Sequence, residues 1–358
     1  MSRHAVLIHP SLSFSGITER LIATARVLTG QEIPVTVVTT PGSRSFAVER
    51  AGLSVSYAEL PENPRELPFA FWRTKQLIRS LKPTLLHVTD ESMASLGAAI
   101  ASRLHVPYVL EIHQQVHGRI PHAPGVLAGV IATSESLVEG IVNHGRIARG
   151  LVRVVRHAPV PSDVPNPEVM AHEPPFRIGC AGYLDHRHNT EWFLEAARAL
   201  IRAGAPASFV ILGEGPREMS LRRSIREASL TEHITVGVPT TVECGQTLSS
   251  LDIYISCRTQ GGPSWISCQA LAQGVPCIFA AAGEAFHLIR DRRTGVLVEP
   301  GDGRRLVQEI QLMLTNPEFA RGMGVKGSEH FLGIAPHARF ERDVAGAHAL
   351  AVGTASVF

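Results

Sequence analysis

The stretch Ile255 to Ala280, ISCRTQGGPSWISCQALAQGVPCIFA, reads as strand, glycine turn, helix, short turn and strand. Ile253 to Ser256 is a short apolar run suited to a buried parallel strand. Gly261, Gly262 and Pro263 break that run ahead of a helix predicted from about Ser264 to Gln273. Gly274 and Pro276 then end the helix, as a glycine just past a C-terminus and a proline beyond it do. A glycine turn feeding a helix lets backbone N–H groups and the positive helix end face an anion, because a residue without Cβ permits close approach. The same glycines also serve a sharp strand-to-helix turn with no ligand, so the stretch alone supports either reading.

Outward from this stretch the chain alternates short apolar strands with amphipathic helices. In the first half, strands are predicted at Val6 to His9, Val35 to Thr39, Val55 to Tyr57, Leu85 to Val88, Tyr108 to Ile112 and Val130 to Thr133. Helices are predicted at Ile17 to Leu28, Phe69 to Leu81, Met93 to Leu104 and Ser134 to His144. Pro159, Pro161, Pro165, Pro167, Pro174 and Pro175, set among polar residues, mark a linker over 157–175. The pattern then restarts with strands at Phe176 to Ala181, Ser208 to Leu212 and Ile234 to Val236, and helices at Thr190 to Ala203 and Pro216 to Ala228. Helices Arg304 to Thr315, Asn316 to Phe331 and His337 to Leu350 close the chain. Such alternation implies an α/β protein with mainly parallel sheets covered on both faces, and ligands beyond the carboxyl ends of the strands.

With 358 residues the chain has length for two domains, each with its own core. A hydrophobic fraction of 44% with 18% charged residues is that of a globular enzyme. A formal charge of +2 argues against a nucleic-acid partner held by bulk electrostatics. Cys180, Cys244, Cys257, Cys268 and Cys277 lie in the second half with no C-x-x-C spacing, which suggests reduced core thiols rather than a disulfide frame or zinc site. The opening MSRHAVLIHP has too short an apolar run for a signal peptide and no stretch approaches a membrane span, so a cytoplasmic location is expected. Asp90, Glu91 and Asp185 read as solvated or capping acids, and no metal site is expected. Arg146, Arg149, Arg153 and Arg156 read as a solvated basic face, or alternatively as a peripheral contact with acidic lipid or another anion.

The central stretch, with Gln269-Ala270-Leu271-Ala272-Gln273-Gly274-Val275-Pro276 and the run from Thr294 to Asp302, resembles the family-four retaining glycosyltransferases. Other segments share the likeness. Ser15-Gly16-Ile17-Thr18-Glu19 resembles the family's Gly-Gly-x-x-Glu opening, and Gly213-Glu214-Gly215-Pro216 resembles its Gly-x-Gly-Pro loop beside the nucleotide base. His113 stands at the family's acceptor-side histidine, and Val130 to Glu135 resembles its apolar strand ending in serine and glutamate, where Ser134 is also a good N-cap. The resemblance implies a GT-B fold: two Rossmann-like domains with an interdomain cleft and a C-terminal helix crossing back. The first domain would be acceptor-side (1–156), the second would bind the nucleotide sugar (176–335), and the terminal helix would span 336–358.

The chemistry departs from that pattern. The family carries two glutamates eight positions apart; here the helix position is Gln269 and the loop position is Gln260 or Gly261, depending on register. It also carries an arginine after a glycine and a lysine five residues on; here Gly182 is followed by Tyr183, and the lysine position is His188. Cleaving a sugar from a nucleoside diphosphate leaves charge that cations, N–H groups or a helix N-terminus must receive. In one reading Arg187 or a protonated His188 replaces the lost cations, His113 and Gln260 complete the catalytic set, and Gly16, Tyr183, Gly213, Glu214, Gly261, Gly262, Pro263, Ser264 and Gln269 hold the donor. The substrate is then a nucleotide sugar with UDP or GDP as carrier, with no separate cofactor. A small molecule accepts the sugar, and a thiol in natural-product biosynthesis suits a site without a strong base. A homodimer is compatible with this reading. In the other, the pocket persists without its catalyst and the chain is a binding or partner subunit.

Overall fold

The structure is a computed structural model that describes residues 3–60, 67–158, 174–238, 244–259, 264–283 and 285–354. Strands buried on both faces need largely apolar sequence, and the inner strands of the first half have it, whereas the edge strands Ser54–Tyr57 and Val152–Val154 do not. The strands are β1 (Ala5–Ser11), β2 (Val35–Thr40), β3 (Ser54–Tyr57), β4 (Leu85–Val88), β5 (Tyr108–Ile112), β6 (Leu127–Ala132) and β7 (Val152–Val154). The connecting helices are α1 (Gly16–Gly30), α2 (Ser45–Arg50), α3 (Leu67–Ser80), α4 (Ala94–Leu104) and α5 (Val138–Asn143). All strands pair in parallel, in the order β3-β2-β1-β4-β5-β6-β7. Side chains of α1 and α2 pack on one face, around Leu7, Leu21, Leu28 and Val37; those of α3, α4 and α5 pack on the other, around Ile8, Ile78, Ile100 and Leu110.

The second half repeats the plan. Its strands are β8 (Phe176–Ala181), β9 (Ala207–Leu212), β10 (Ile234–Gly237), β11 (Ile253–Ser256), β12 (Cys277–Ala280) and β13 (Val296–Val298), all parallel in the order β10-β9-β8-β11-β12-β13. The helices are α6 (Thr190–Arg202), α7 (Glu218–Glu227), α8 (Cys244–Ser249), α9 (Trp265–Ala272), α10 (Ala285–Leu288), α11 (Gly303–Thr315), α12 (Pro317–Ile334) and α13 (His337–Thr354). By their contacts, His157–His337 and the short segment Phe14–Gly16 form one unit; the rest of the first half joins the terminal segment from Ala338 in the other. The expected two-sheet GT-B architecture is therefore present. In α13, Phe340, Val344, Ala347 and Ala351 recur at helical spacing as one buried stripe within the first unit.

The predicted helix at the centre of the second unit is α9. Its eight residues are buried on every side, so it has no polar face. Sheet residues such as Tyr254 and Phe279 pack in one cluster with Ile266, Ala270 and Leu271 of α9, Leu248 of α8 and Phe331 of α12. Gly324 of α12 permits the close approach: a Cβ there would lie 2.1 Å from the carbonyl oxygen of Gly274, the residue after the α9 C-cap. Ser328 Oγ, one turn on, donates to Ala272 O at 2.8 Å. The close packing of α12 thus holds the C-terminal end of α9 in place.

Several short elements escape periodicity because they have too few residues to show a period, namely α2, α8, α10, β7 and β13. The helix expected from Ser134 to His144 is a 3-10 turn, Glu135–Leu137, followed by α5. Ser134 occupies the N-cap position of that turn, but its hydroxyl pairs with the Ser136 hydroxyl at 2.8 Å and makes no capping bond to the backbone. The strand expected at Val130 to Thr133 begins at Leu127 and ends at Ala132. Arg153 lies exposed on β7, consistent with a solvated face there. Among the described residues, no helix is long and apolar enough to cross a membrane. Cys180, Cys257, Cys268 and Cys277 are buried. Burial pushes the Cys257 thiol up to about 12.

Gly324→Ala should lower the stability of the second unit by about 1–3 kcal/mol, the usual cost of overpacking a rigid contact. Thermal unfolding followed by a tryptophan signal checks this, because Trp192 and Trp265 are both buried in that unit.

Candidate functional site

In an open parallel sheet the crevice for ligands forms where neighbouring strands send their connections to opposite faces. In the second unit that point lies between β8 and β11. A recess opens there, lined by Gly182, His188 and Thr190 from the β8 side and by Ser256, Arg258, Ser264 and Ser267 from the β11 side. Ser264 caps α9: its Oγ accepts the Ser267 N–H at 3.0 Å. Ser267 Oγ in turn lies 3.0 Å from Tyr254 Oη and 3.2 Å from Ser256 Oγ. These hydroxyls tie the first turn of α9 to β11, so the positive helix end stands at the recess.

The other wall is shaped by two interlocked loops. Gly182 has φ +152°, and a Cβ on it would lie 2.3 Å from His188 Nε2. A Cβ on Gly213 would lie 2.2 Å from the Gly182 carbonyl oxygen, and Leu184 N–H donates to Glu214 O at 2.8 Å. Only glycine fits at either position. The imidazole of His188 is held from its other side by Asp185, with Nδ1 3.3 Å from Oδ1. Asp185 is therefore buried and paired, not solvated.

Of the residues singled out from sequence, Gly182, His188 and Ser264 meet at this recess. Gly213 and Glu214 support the loop behind it. Tyr183 is partly exposed beside Gly182, and Arg187 lies in the 3-10 turn His186–His188. Gln269 is buried within α9, 2% exposed, and is not in the recess wall. Gly16 opens α1 and groups by contacts with the second unit. Gln260, Gly261, Gly262 and Pro263 lie outside the described residues. Periodicity drew no attention to Arg258, Thr190 or Ser267. Arg258 could have been found by extending the two-residue alternation of β11 past its end, from Tyr254 and Ser256.

His113 belongs to a second polar cluster, at the carboxyl ends of β1, β4 and β5. Arg20 of α1 is wholly buried; its Nε lies 3.2 and 3.3 Å from the two carboxylate oxygens of Glu111 on β5. The Arg20 guanidinium also donates to Val155 O at 3.0 Å and stacks over Phe340 of α13, 5.2 Å from the ring centroid. Burial would push the Glu111 carboxyl up, but Arg20, a hydrogen bond from His113 and the neighbouring histidines hold it well below the usual range. His113 Nε2–H donates to Thr89 O at 2.8 Å and lies 3.4 Å from Glu111 Oε2. Burial works against its charged form, yet the hydrogen bond and charge of Glu111, with Glu91 and Asp90, raise its pKa above the usual value.

On the sheet's far side of Glu111, His87 Nδ1 meets His348 Nε2 of α13 at 3.1 Å, and His348 Nδ1–H donates to Val344 O at 2.7 Å. Burial keeps His87 neutral, lowering its pKa to about 3. His9 is lowered to about 4, also chiefly by burial, and spans Thr89 Oγ1 at 2.8 Å and Thr18 Oγ1 at 3.1 Å.

Asp90 caps the short turn after β4 by accepting the Ser92 N–H at 2.8 Å, whereas Glu91 is not the solvated acid expected. Glu91 Oε2 accepts the His113 backbone N–H at 2.9 Å, and its Oε1 is buried without a hydrogen-bond partner among the described residues. Burial, then the adjacent Asp90 carboxylate, raises Glu91 to about 7, so at neutral pH its carboxyl exchanges between both forms. Among the described residues no group of three or more His, Cys, Asp or Glu is placed to hold a metal ion.

Two outcomes follow from these charges. Arg20→Ala leaves Glu111 ionised in the interior without its main partner and should cost about 3–5 kcal/mol, read from urea unfolding of the first unit. Glu91 binds its proton more tightly folded than unfolded, so its contribution to stability is present at pH 5 and is lost as pH rises through about 7. Glu91→Gln keeps the bond to His113 N–H and removes that loss. The variant should therefore gain in melting temperature over the parent between pH 5 and pH 8; an unchanged difference would sink the assignment.

Known proteins share both halves. A family profile described as Glycosyltransferase Family 4 matches residues 14–158, and one described as Glycosyl transferases group 1 matches residues 175–316. The chain is 27% identical over 159 residues to a GDP-mannose-dependent alpha-(1-6)-phosphatidylinositol monomannoside mannosyltransferase of Mycolicibacterium smegmatis, covering 42% of this chain and 41% of that protein. It is 24% identical over 149 residues to an alpha-D-kanosaminyltransferase of Streptomyces kanamyceticus, covering 40% of this chain and 37% of that protein. The matched stretch thus spans about two fifths of the length of these curated relatives. Its fold matches that of Anabaena HepE, solved in complex with UDP and glucose, with a TM-score of 0.77, 15% identity and coverage of 97% of this chain and 99% of that one. A glycosyltransferase of Rickettsia africae matches with a TM-score of 0.72 at 14% identity, covering 98% of each chain. With both halves matched by profiles of one enzyme group and both sheets in the order of that fold, the chain belongs to the family-four glycosyltransferases.

Proposed function

We propose that the chain is an active enzyme that moves a sugar from a nucleoside-diphosphate sugar to a small acceptor with retention of configuration, in the cytoplasm. The observation that carries this reading is the recess between β8 and β11, where a capped helix N-terminus, serine hydroxyls and an arginine converge. Those groups suit a diphosphate, whose charge grows as the bond to the sugar breaks. Support comes from the relatives named for GDP-mannose-dependent transfer and from the HepE complex with UDP. One preorganised donor aimed at such charge is worth about 10²–10³ in rate.

The acceptor falls to the first unit. His113 is fixed by Thr89 and Glu111, and the Glu91 carboxyl next to it titrates near neutrality, as suits a group that exchanges a proton with an acceptor. The acceptor we favour is a thiol or thione, as in natural-product biosynthesis, because a thiolate forms at about pH 8.5 and needs no strong base.

A thermal-shift series with UDP, GDP and their glucose and mannose derivatives tests the reading. Saturation at about 100 times Kd should stabilise the protein by about 2.7 kcal/mol. The ligand that does so is then supplied as a donor sugar with paired thiol and hydroxyl acceptors, and product is followed by mass spectrometry. Stabilisation by no nucleoside diphosphate would end the proposal. Binding with neither hydrolysis nor transfer would leave a binding subunit in its place.

A further inference from the structure

We infer that Arg258 supplies the positive charge that holds the donor diphosphate, in place of the arginine and lysine that the family carries on the loop after β8. This rests on the donor reading above and adds which side chain does the work. A diphosphate enters with two or three negative charges, and main-chain N–H groups offset only part of them.

Among the described residues that line the recess from the β8 side, none is a lysine or arginine; Arg187 lies in the adjoining 3-10 turn. Tyr183 is neutral, and His188 is wedged between Asp185 and the backbone of Gly182. The wedge orients the imidazole as a packing element of the loop.

The β11 side differs. Along β11, Ile255 packs on one face of the sheet and Tyr254 on the other, where α9 lies. Ser256 shares the Tyr254 side, since both reach Ser267 of α9. Continuing the alternation brings Arg258 to that side too, beside the capped start of α9. Arg258 lines the recess together with Ser264 and Ser267, and among the described recess residues it is the only lysine or arginine. It is partly buried, which lessens the screening an exposed cation would suffer. A guanidinium stays charged at any working pH and presents paired N–H donors to phosphate oxygens, which an ammonium does not. The charge demand of the reaction is thereby met from the opposite wall of the same crevice.

Titration calorimetry of the full chain with UDP and GDP, each paired with its nucleoside, tests this. Arg258→Ala should weaken whichever diphosphate the parent binds by about 10- to 100-fold, the range for a hydrogen bond to a charged group. Affinity for the matching nucleoside should not change, and Arg258→Lys should fall between the two. The salt dependence of diphosphate binding should also become shallower in Arg258→Ala, which a merely structural role would not produce. If the parent binds a diphosphate and Arg258→Ala binds it equally well, the inference fails and the donor reading stands. Equal loss of nucleoside and diphosphate would show damage to the recess and overturn the inference as well. If the parent binds neither UDP nor GDP, the donor reading itself falls, and this inference with it.

Discussion

Two adjacent parallel strands whose connections leave toward opposite faces cannot be roofed by either connection, so their carboxyl ends stay open. That constraint sets the place of every polar group discussed for this chain. In the first sheet it falls between β1 and β4, where His9, Thr89, Asp90 and Glu91 gather; in the second it falls between β8 and β11, where Gly182, His188, Arg258 and Ser264 gather. Apart from these and the buried Arg20–Glu111 cluster with His87 and His348, the sheets are lined mainly by apolar side chains covered by helices.

The two openings are built on different electrostatics. In the first unit the charges are sunk below the rim and neutralise one another: Arg20 against Glu111, with His87 and His348 held neutral behind them. A buried pair of this kind adds little net stability over apolar packing, but removing one partner is severe, so it functions as a constraint on assembly. It ties α1, β5 and α13 to one geometry and leaves His113 oriented by a carboxylate that stays ionised. In the second unit the donors are main-chain and hydroxyl groups around the start of α9, with a single guanidinium among the described recess residues. The close packing of α12 and its glycines against the end of α9 adds rigidity to this site.

The loss of the family's charged residues reads differently once the fold is known. From sequence, Tyr183 and His188 look like deletions from a diphosphate site. In three dimensions His188 fills the space that Gly182 leaves, and the Gly213 to Gly215 turn locks over both. The loop has been rebuilt as a packed wall. Within that wall His188 also pairs with the Asp185 carboxylate, which would otherwise be buried without this partner.

By itself the amino-acid order determined the alternation of strands and helices, the two-sheet architecture, the start of α9 at Ser264 and its end before Gly274. Each of these depends on local propensity, period or turn chemistry, which neighbours along the chain express. It also pointed to Gly182, His188 and His113 by resemblance. Tertiary structure decided that Glu91 is sequestered beside His113 and that Arg258 lines a recess with Thr190 and Ser264. Those outcomes depend on side chains from distant strands meeting at one edge. Arg20 shows the same limit: it lies on a helix predicted from local pattern, but its burial goes with Glu111, 91 positions later, which pairs with it. Desolvation and pairing act through space, and no window along the chain contains both partners.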